Sequence, residues 1–373
     1  MNPFVYTGPV SADHVIDRDE QAELLVELAD AGQAARLSAP RRYGKTSLLY
    51  RVRRDVERLG FSVVYVDFSR AVSIEDVAVT IEEAYRRSLQ GKVRQAAVAL
   101  IRYVKPKARA GAAGVGVEVG PELDSEKVRL LGSLLDLPLR IHERTGTRTL
   151  VIFDEFQELL SAGDDLDRLF RSRIQHHGKA ASYVFAGSHP EMMDGLFARK
   201  ARPFFDQARP VYLEPLSDPD LGDYIAGQFE ATGRQVGEAI EPLLDLVEGH
   251  PQRGMLLAHH LWEQTDPGQT SDLEAWHRAR TAAESEAADA LQATWDAMSI
   301  AARRVVAALA STMDGLLSNR TLHRFELAKT TAAEVRDRLV GTGDLQRVGE
   351  QVTIVDPLLA EWARHRIPGE SDE

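Results

Sequence analysis

The sequence contains no cysteine among its 373 residues. Disulfide bonds, thiol catalysis and cysteine-based zinc sites are therefore excluded. It also lacks any stretch close to the roughly 20 apolar residues that a membrane span requires. Its opening residues, MNPFVYTGPVSADHV, have neither the basic start nor the apolar run of a signal peptide. We therefore expect a cytoplasmic protein that does not enter a membrane.

Positive charge is scarce, because 45 Lys and Arg residues face 57 Asp and Glu residues and leave a net charge of -12. A chain this acidic is not broadly attracted to nucleic acid or to anionic membranes, so any such contact needs a local basic patch. The apolar fraction of 44% is sufficient for hydrophobic cores. The length of the chain favours two or three domains.

The sequence does contain a candidate phosphate-binding loop, SAPRRYGKTSLL at residues 38–49. The usual pattern is G-x-x-x-x-G-K-[ST], and Ala39 stands where its first glycine would be. This alanine would damage the loop only if the turn needed a positive φ there. Gly44 would let the backbone approach a phosphate, Lys45 would reach the β- and γ-phosphates, and Thr46 would ligate Mg²⁺. The residues predicted to bind nucleotide here are Pro40, Arg41, Arg42, Tyr43, Gly44, Lys45, Thr46 and Ser47.

Short apolar runs alternate with helical stretches in the first half of the chain. The predicted strands are residues 34–40, 61–69, 147–156, 181–188 and 210–217, and the predicted helices include 45–60 and 73–89. This alternation predicts an α/β fold with a parallel sheet covered on both faces. Ligands of such sheets bind at the carboxyl ends of the strands. Residues 104–126, rich in Gly and Ala, are predicted to form an exposed loop or a small hairpin.

The third predicted strand ends in two acids, within LVIFDEF at residues 150–156. This is the Walker B arrangement, in which a buried strand delivers a carboxylate to the magnesium site. Asp154 would hold the metal through water, and Glu155 would orient and activate the attacking water. A glutamate directly after the aspartate favours hydrolysis over binding alone.

The fourth predicted strand ends at Ser188, with His189 next to it. In NTPases with a glutamate after Walker B, the strand between that acid and the phosphate loop often carries a polar group that senses the γ-phosphate. Ser188 occupies this position. It could also cap a helix that begins near Pro190, and the two roles are compatible.

Several motifs together resemble one known family. They are NPFVYTGPV at 2–10, VIDRDEQAELL at 15–25, the loop at 38–49, FDEFQEL at 153–159, EGHPQ at 248–252 and TIVDPLLAEWAR at 353–364. In combination they resemble the archaeal-type ATPases of the signal-transducing, AAA-related P-loop NTPases (the STAND class). The resemblance implies an ASCE-type core sheet, a helical lid and a C-terminal winged helix. It also implies that ATP binding switches a conformation in signalling, regulation or a mobile-element or defence role.

The chain departs from the family pattern beyond Ala39. In IDRDEQ at 16–21, near the adenine in the family, Asp17 stands for a glycine and is followed by the candidate nucleotide-binding residue Arg18. In the segment 203–216, Gln207 falls where the family often has an arginine. Arg202 and Arg209 flank that position and could substitute, although each is more simply a surface charge.

The predicted lid, residues 215–264, is helical with glycine and proline breaks. By the resemblance, His250 and Pro251 lie at a helix boundary that faces the nucleotide, and Arg253 is a candidate partner of the γ-phosphate. His259 and His260 do not form a zinc site with His250, because no acid or third ligand has the required spacing.

The C-terminal part predicts helices at 299–311, 318–327 and 331–343, followed by a hairpin at 345–357. That order is typical of a winged helix. Its third helix carries Arg336 and Arg338 but also Glu334 and Asp337, whereas a DNA-reading helix normally has more net positive charge. A module that packs on protein is the alternative to DNA binding.

We therefore expect a P-loop ATPase core at residues 1–214, a helical lid at 215–285 and a winged-helix domain at 286–373. The expected ligands are ATP and Mg²⁺, and the expected activity is that of a switch acting on a protein partner. Two alternatives stay open at this point. One is a DNA-associated ATPase resembling origin-recognition or transposition factors, and the other is a nucleotide-binding scaffold with negligible hydrolysis. The sequence leaves the oligomeric state undetermined.

Overall fold

The structure is a computed structural model that describes residues 1–110, 122–163, 165–311, 315–349 and 351–366. The chain forms two compact units. The first, which we call the sheet unit, comprises Arg18–Ala39 and Leu48–Tyr212. The second, which we call the helical unit, comprises Met1–Asp17, Pro40–Ser47 and Leu213–Glu373. The candidate loop thus belongs to the helical unit, although it follows a strand of the sheet unit.

A parallel sheet forms the centre of the sheet unit. Its strands are β1 Ala34–Ser38, β2 Ser62–Asp67, β3 Thr149–Asp154, β4 Ala181–Gly187 and β5 Arg209–Tyr212, so all the strands predicted above are confirmed. The strand order is β2-β3-β4-β1-β5. Strand β4 therefore lies between β1, which leads into the loop, and β3, which ends in the two acids. This is the order expected of an ASCE-type sheet.

Helices precede and follow these strands along the chain, and both predicted helices, 45–60 and 73–89, are present. The helices are α1 Asp19–Asp30, α2 Lys45–Arg58, α3 Ile74–Ser88, α4 Gly91–Ala110, α5 Glu122–Leu135, α6 Leu137–Thr145, α7 Leu159–Ala162, α8 Leu166–Ile174 and α9 Pro190–Phe197. The loop predicted over 104–126 is wrong at both ends, where α4 and α5 extend into it, and residues 111–121 lie outside the described residues. The parts of the segment that form helix, residues 104–110 and 122–126, contain none of its glycines, so this strong helix-breaking residue type does not oppose helix there.

The inner strands are buried along their whole length. Every residue of β3 and β4 is buried, as expected for parallel strands covered on both faces. Phe153 and Phe185 pair across these strands with ring centroids 5.9 Å apart. Phe156, just after β3, packs edge-on against Phe204. These aromatic contacts hold the carboxyl ends of β3 and β4 in place.

The helical unit contains α10 Asp218–Ala231, α11 Ile240–Val247, α12 Pro251–Glu263, α13 Leu273–Ala297, α14 Ile300–Ser311, α15 Asn319–Arg324, α16 Lys329–Thr342, the hairpin strands β6 Leu345–Val348 and β7 Gln351–Ile354, and α17 Pro357–Arg364. One hydrophobic cluster runs from Phe4 and Leu221 to Leu339 and Leu358. The order from α14 to β7 is the one predicted for a winged helix.

Two details of the helical unit differ from the sequence-based boundaries. Helix α15 ends before the predicted residue 327, because Glu326 adopts a left-handed φ of 49°. The long helix α13 runs through residue 285, where the lid was predicted to end. The predicted Gly-Glu turn of the hairpin includes residue 350, which lies outside the described residues.

Within the described part of the chain, none of the helices combines the length and the apolar character that crossing a membrane would require.

Candidate nucleotide site

The candidate loop joins β1 to α2, and its backbone accounts for the missing glycine. Ala39 is fully buried and does not adopt a positive φ. Its amide donates to the carbonyl oxygen of Gly187 at 3.3 Å. The left-handed positions are instead Gly44, with φ 83°, and Arg42, with φ 68°. Alanine therefore costs this turn nothing, because the turn does not use the conformation that only glycine adopts easily.

Within the helical unit, the loop contacts residues far along the chain. The buried ring of Tyr43 packs edge-on against His250 with centroids 5.1 Å apart. The hydroxyl of Tyr43 accepts a hydrogen bond from Gln346 Nε2 at 3.1 Å. Ser47 Oγ accepts one from the amide of Val10 at 3.1 Å. Lys45 is also buried, with 7% of its surface exposed. The predicted lid, the hairpin and the N-terminal segment thus all contact the loop.

His250 begins the helix that carries Arg253. Its Nδ1 accepts a hydrogen bond from the amide of Arg253 at 3.3 Å, which caps α12, and Pro251 is the first residue of that helix. Burial lowers the pKa of His250 to about 4, and the positive charge of Arg253 adds to this effect while Asp356 opposes it. The imidazole is therefore neutral at pH 7 and can act as the acceptor that the cap requires.

Arg253 is held by a carboxylate that the sequence did not identify as a site residue. Its Nε and Nη2 contact Oδ1 and Oδ2 of Asp356 at 2.9 and 2.5 Å. Arg42 Nη1 lies 3.9 Å from the same carboxylate. Burial by itself raises the pKa of Asp356, but the hydrogen bonds and charge of Arg253 outweigh it, so the pKa is lowered overall. Asp356 is present in the quoted motif TIVDPLLAEWAR, where an acid before proline indicates only a helix start.

In the sheet unit, Asp154 is buried at the end of β3. Its Oδ2 accepts a hydrogen bond from the hydroxyl of Tyr65, and its Oδ1 accepts one from the amide of Glu155 at 3.0 Å. Burial raises the pKa of Tyr65, and the neighbouring charge of Asp154 raises it further. Tyr65 pairs with Ile152 in the sheet register. Asp154 is two residues after Ile152 on β3. The side chains of Tyr65 and Asp154 therefore lie on the same face of the sheet. The sequence alone does not give this register.

Glu155 is fixed by hydrogen bonds to a single carboxylate oxygen. Its Oε2 accepts bonds from Ser188 Oγ at 2.7 Å, from the amide of Ser188 at 3.2 Å and from Gln157 Nε2 at 2.6 Å. Its backbone is left-handed, with φ 50°. The predicted catalytic pair, Glu155 and Ser188, is therefore in direct contact. The capping alternative for Ser188 is wrong, because His189 is the residue at the N-cap of α9 and no side chain caps that helix.

Gln157 and His189 complete this cluster and were not identified from the sequence. Gln157 is fully buried, and its Nε2 lies 3.1 Å from His189 Nδ1. A Cβ atom at Gly187 would lie 2.5 Å from Gln157 Oε1. Glycine at the end of β4 is thus required for Gln157 to reach Glu155. The signal that could have found Gln157 is its place in the FDEFQEL motif.

The other predicted positions are placed as follows. Asp17 is left-handed, with φ 44°, a conformation that glycine adopts more easily, and Arg18 is buried at the N-cap position of α1. Gln207 Oε1 accepts a hydrogen bond from Arg171 at 2.6 Å. Arg202 pairs with Asp167 at 3.2 Å, and Arg209 is exposed at the start of β5. The ion pair of Arg202 and the exposure of Arg209 therefore agree with the interpretation of these two residues as surface charges.

The remaining lid histidines have other partners. His259 Nδ1 lies 2.9 Å from the carbonyl oxygen of Phe4, and His260 Nε2 lies 2.9 Å from a carboxylate oxygen of Glu286. Among the residues that the structure describes, no group of three or more His, Cys, Asp or Glu side chains is arranged to hold a metal ion.

The chain is similar to known proteins in its three-dimensional structure. No protein-family model matches the chain, and no curated protein matches it. A Walker-type ATPase of Pyrococcus abyssi superposes with a TM-score of 0.69 at 16% identity, covering 97% of this chain and 99% of that chain. The ORC2 protein of Aeropyrum pernix, in ADPNP and ADP complexes, gives 0.60 at 16% identity and covers 97% and 95%.

A third similar structure is the ORC1 protein of Aeropyrum pernix in complex with DNA. It gives a TM-score of 0.50 at 17% identity and covers 94% of this chain and 92% of that chain. The predicted fold class is confirmed by the two stronger likenesses: a parallel P-loop ATPase sheet with helices, followed by a C-terminal helical region consistent with a winged helix.

Proposed function

We propose that the protein is a Mg²⁺-dependent ATPase that acts as a conformational switch. The observation that carries this proposal is the cluster at the ends of β3 and β4. There the second acid of the Walker B motif, Glu155, is held by Ser188, which directly follows β4, the strand next to the loop strand. A carboxylate fixed in this way is a candidate general base for water.

The side chains of the two motifs suit the ligands that we propose. Lys45 and the loop amides would bind the phosphates, and the helix start at Lys45 favours an anion. The hydroxyl of Thr46 and the carboxylate of Asp154 are hard oxygen ligands of the kind that Mg²⁺ prefers. When bound, Mg²⁺ would polarise the phosphate oxygens. Glu155 would accept the proton of the attacking water, and Ser188 would hold Glu155 in position.

The finer assignments belong to the same proposal. We infer that Arg18, His250, Pro251 and Arg253 contribute to nucleotide binding, and that the chain divides into a core at 1–214, a lid at 215–285 and a winged helix at 286–373. Membership of the archaeal-type, signal-transducing ATPases rests on the quoted motifs. In that class, the nucleotide state would act on a protein partner in the cytoplasm, in signalling, regulation or a mobile-element or defence role.

The test separates binding from turnover. Glu155→Gln should retain Mg²⁺-ATP and lose at least about a hundredfold in phosphate release, because an amide cannot accept a proton. Lys45→Ala should abolish binding at micromolar ATP in calorimetry. Asp67→Asn is the matched control, because Asp67 ends the neighbouring strand β2 without belonging to the motif. If Glu155→Gln released phosphate like the parent, Glu155 would not be the base and the scaffold alternative would gain.

A second candidate function is a DNA-associated ATPase. It is favoured by the structural similarity to ORC1, which was determined in complex with DNA. In this chain, the winged helix would then bind duplex, and its third helix, α16, would be the part that reads DNA. The pairing of Arg336 and Arg347 with Asp337 argues against it, since both guanidiniums lie 2.8 Å from that carboxylate. Salt-dependent duplex binding distinguishes the two functions.

A further inference from the structure

The carboxylate of Asp356 lies close to two arginines to which the proposed function gives a role in nucleotide binding. Arg253, in the first turn of α12, contacts both of its carboxylate oxygens, and Arg42 of the loop lies 3.9 Å away. The side chain of Arg253 is 5% exposed and that of Asp356 is 21% exposed. One carboxylate near the C-terminus is thus the shared anion of a lid arginine and a loop arginine.

A phosphate would satisfy the same two guanidiniums. Carboxylates and phosphates both present paired oxygens that accept the two parallel N–H bonds of an arginine fork. A guanidinium as buried as that of Arg253 is strongly destabilised without an anionic partner. The guanidinium of Arg253 can therefore exchange one anionic partner for another, but it is unstable without an anionic partner.

We infer that Asp356 stands in for the terminal phosphate of a nucleoside triphosphate, and that binding of the triphosphate displaces it and releases α17. This inference rests on the proposed function. ADP lacks the phosphate that would replace the carboxylate, so it should leave the pair with Arg253 intact. The site would in this way distinguish ATP from ADP without hydrolysis.

The position of Asp356 explains how its release would be transmitted. Its Oδ1 also accepts a hydrogen bond from the amide of Leu358, so it caps α17. Residues just before it form the hairpin strand β7, and Gln346 on β6 donates to Tyr43 of the loop. When Asp356 separates from Arg253, both the start of α17 and the hairpin would therefore loosen. The conformation of this surface would then depend on which nucleotide is bound.

Asp356→Asn tests the inference with little change in shape. Asparagine keeps the size of the side chain and caps helices as well as aspartate, but it removes the charge that competes with phosphate. We expect the affinity for a non-hydrolysable ATP analogue with Mg²⁺ to rise by at least about tenfold, and that for ADP by less than about threefold. Isothermal calorimetry on the full chain measures both values. Equal effects on the two nucleotides, or none on either, would overturn the inference.

Glu361→Gln is the matched control. Glu361 lies on the same helix and pairs with Arg280 of α13 at 2.9 Å, so its loss loosens α17 without freeing Arg253. We expect the ratio of ATP to ADP affinity to stay at the parent value. If Glu361→Gln increased the ATP preference as much as Asp356→Asn does, any loosening of α17 would be enough to favour ATP, and the inference would be wrong. In an Arg253→Ala background, Asp356→Asn should give no gain, and a gain there would equally contradict the inference.

The parent protein gives a readout that needs no variant. Hydrogen exchange of amides 358–364 should speed up with the ATP analogue and stay unchanged with ADP, since only the triphosphate displaces Asp356. Unchanged exchange at saturating analogue would refute the release. The experiments distinguish a failure of the proposed function from a failure of the inference about Asp356. If the parent binds no nucleotide, the proposed function fails; if it binds ATP and Asp356→Asn keeps the parent preference, only the role of Asp356 fails.

Discussion

Gly249 joins α11 to α12 in a conformation and a space that no side chain fits. Its φ is 72°, and an added Cβ would lie 2.2 Å from the carbonyl oxygen of Leu216. The carbonyl oxygen of Gly249 accepts a hydrogen bond from the amide of Leu216 at 2.9 Å. The glycine of EGHPQ is thus required by backbone geometry, while its neighbour His250 supplies the cap of α12.

We predict that Gly249→Ala lowers the free energy of unfolding by about 2–4 kcal/mol, from backbone strain together with overpacking. Urea denaturation measures the loss. Gly227→Ala is the control, because Gly227 lies within α10 and an added Cβ there meets nothing within 4 Å. That change should stabilise the protein by roughly 0.5–1 kcal/mol. Similar losses in the two variants would show that the close approach to Leu216 is not what requires glycine.

At the scale of elements, α12 begins at a histidine that must stay neutral. Its pKa is lowered to about 4, chiefly by burial, whereas an unfolded histidine titrates near 6.5. Between these values the unfolded chain binds a proton that the folded chain excludes. The free energy of unfolding contributed by His250 is therefore complete above about pH 6.5 and is lost as the pH falls towards 4.

We predict that the parent loses about 2 kcal/mol more than His250→Asn when the pH is lowered from 7 to 5, since asparagine caps the helix without titrating. Denaturation midpoints at the two pH values give the comparison. His323→Asn, at an exposed histidine of α15, should keep the pH dependence of the parent. A His250→Asn protein with the parent's pH dependence would show that another group is responsible.

Across the whole molecule, the charge of -12 and the pairing of the C-terminal arginines reduce the attraction of the chain to DNA. Arg336 and Arg347 contact Asp337, and Arg338 donates to Ser299 Oγ at 3.2 Å. Burial raises the pKa of Asp337, but its hydrogen bonds with Arg336 and Arg347 lower it overall, so it stays anionic. The local positive potential that duplex needs is thereby reduced.

We predict that the full chain binds random duplex more weakly than about 1 µM at roughly 150 mM salt, the range of non-specific contacts. Fluorescence anisotropy across a salt series measures this. Submicromolar binding that falls steeply with salt, and that is lost in Arg336→Ala/Arg338→Ala, would instead support the DNA-associated ATPase. Glu334→Gln serves as a control that removes an exposed acid from the same helix.

The sequence by itself determined the strands, the candidate phosphate loop, the two acids at the end of β3 and the element order of the C-terminal part. Each of these depends on patterns among neighbouring residues: apolar runs, turn residues and caps. Only the tertiary structure decided which side chains meet. Asp356 reaches Arg253 across 103 positions, and Tyr43 meets Gln346 across 303. Such contacts depend on strand register and helix packing, which bring distant segments together and leave no periodic trace in the local sequence.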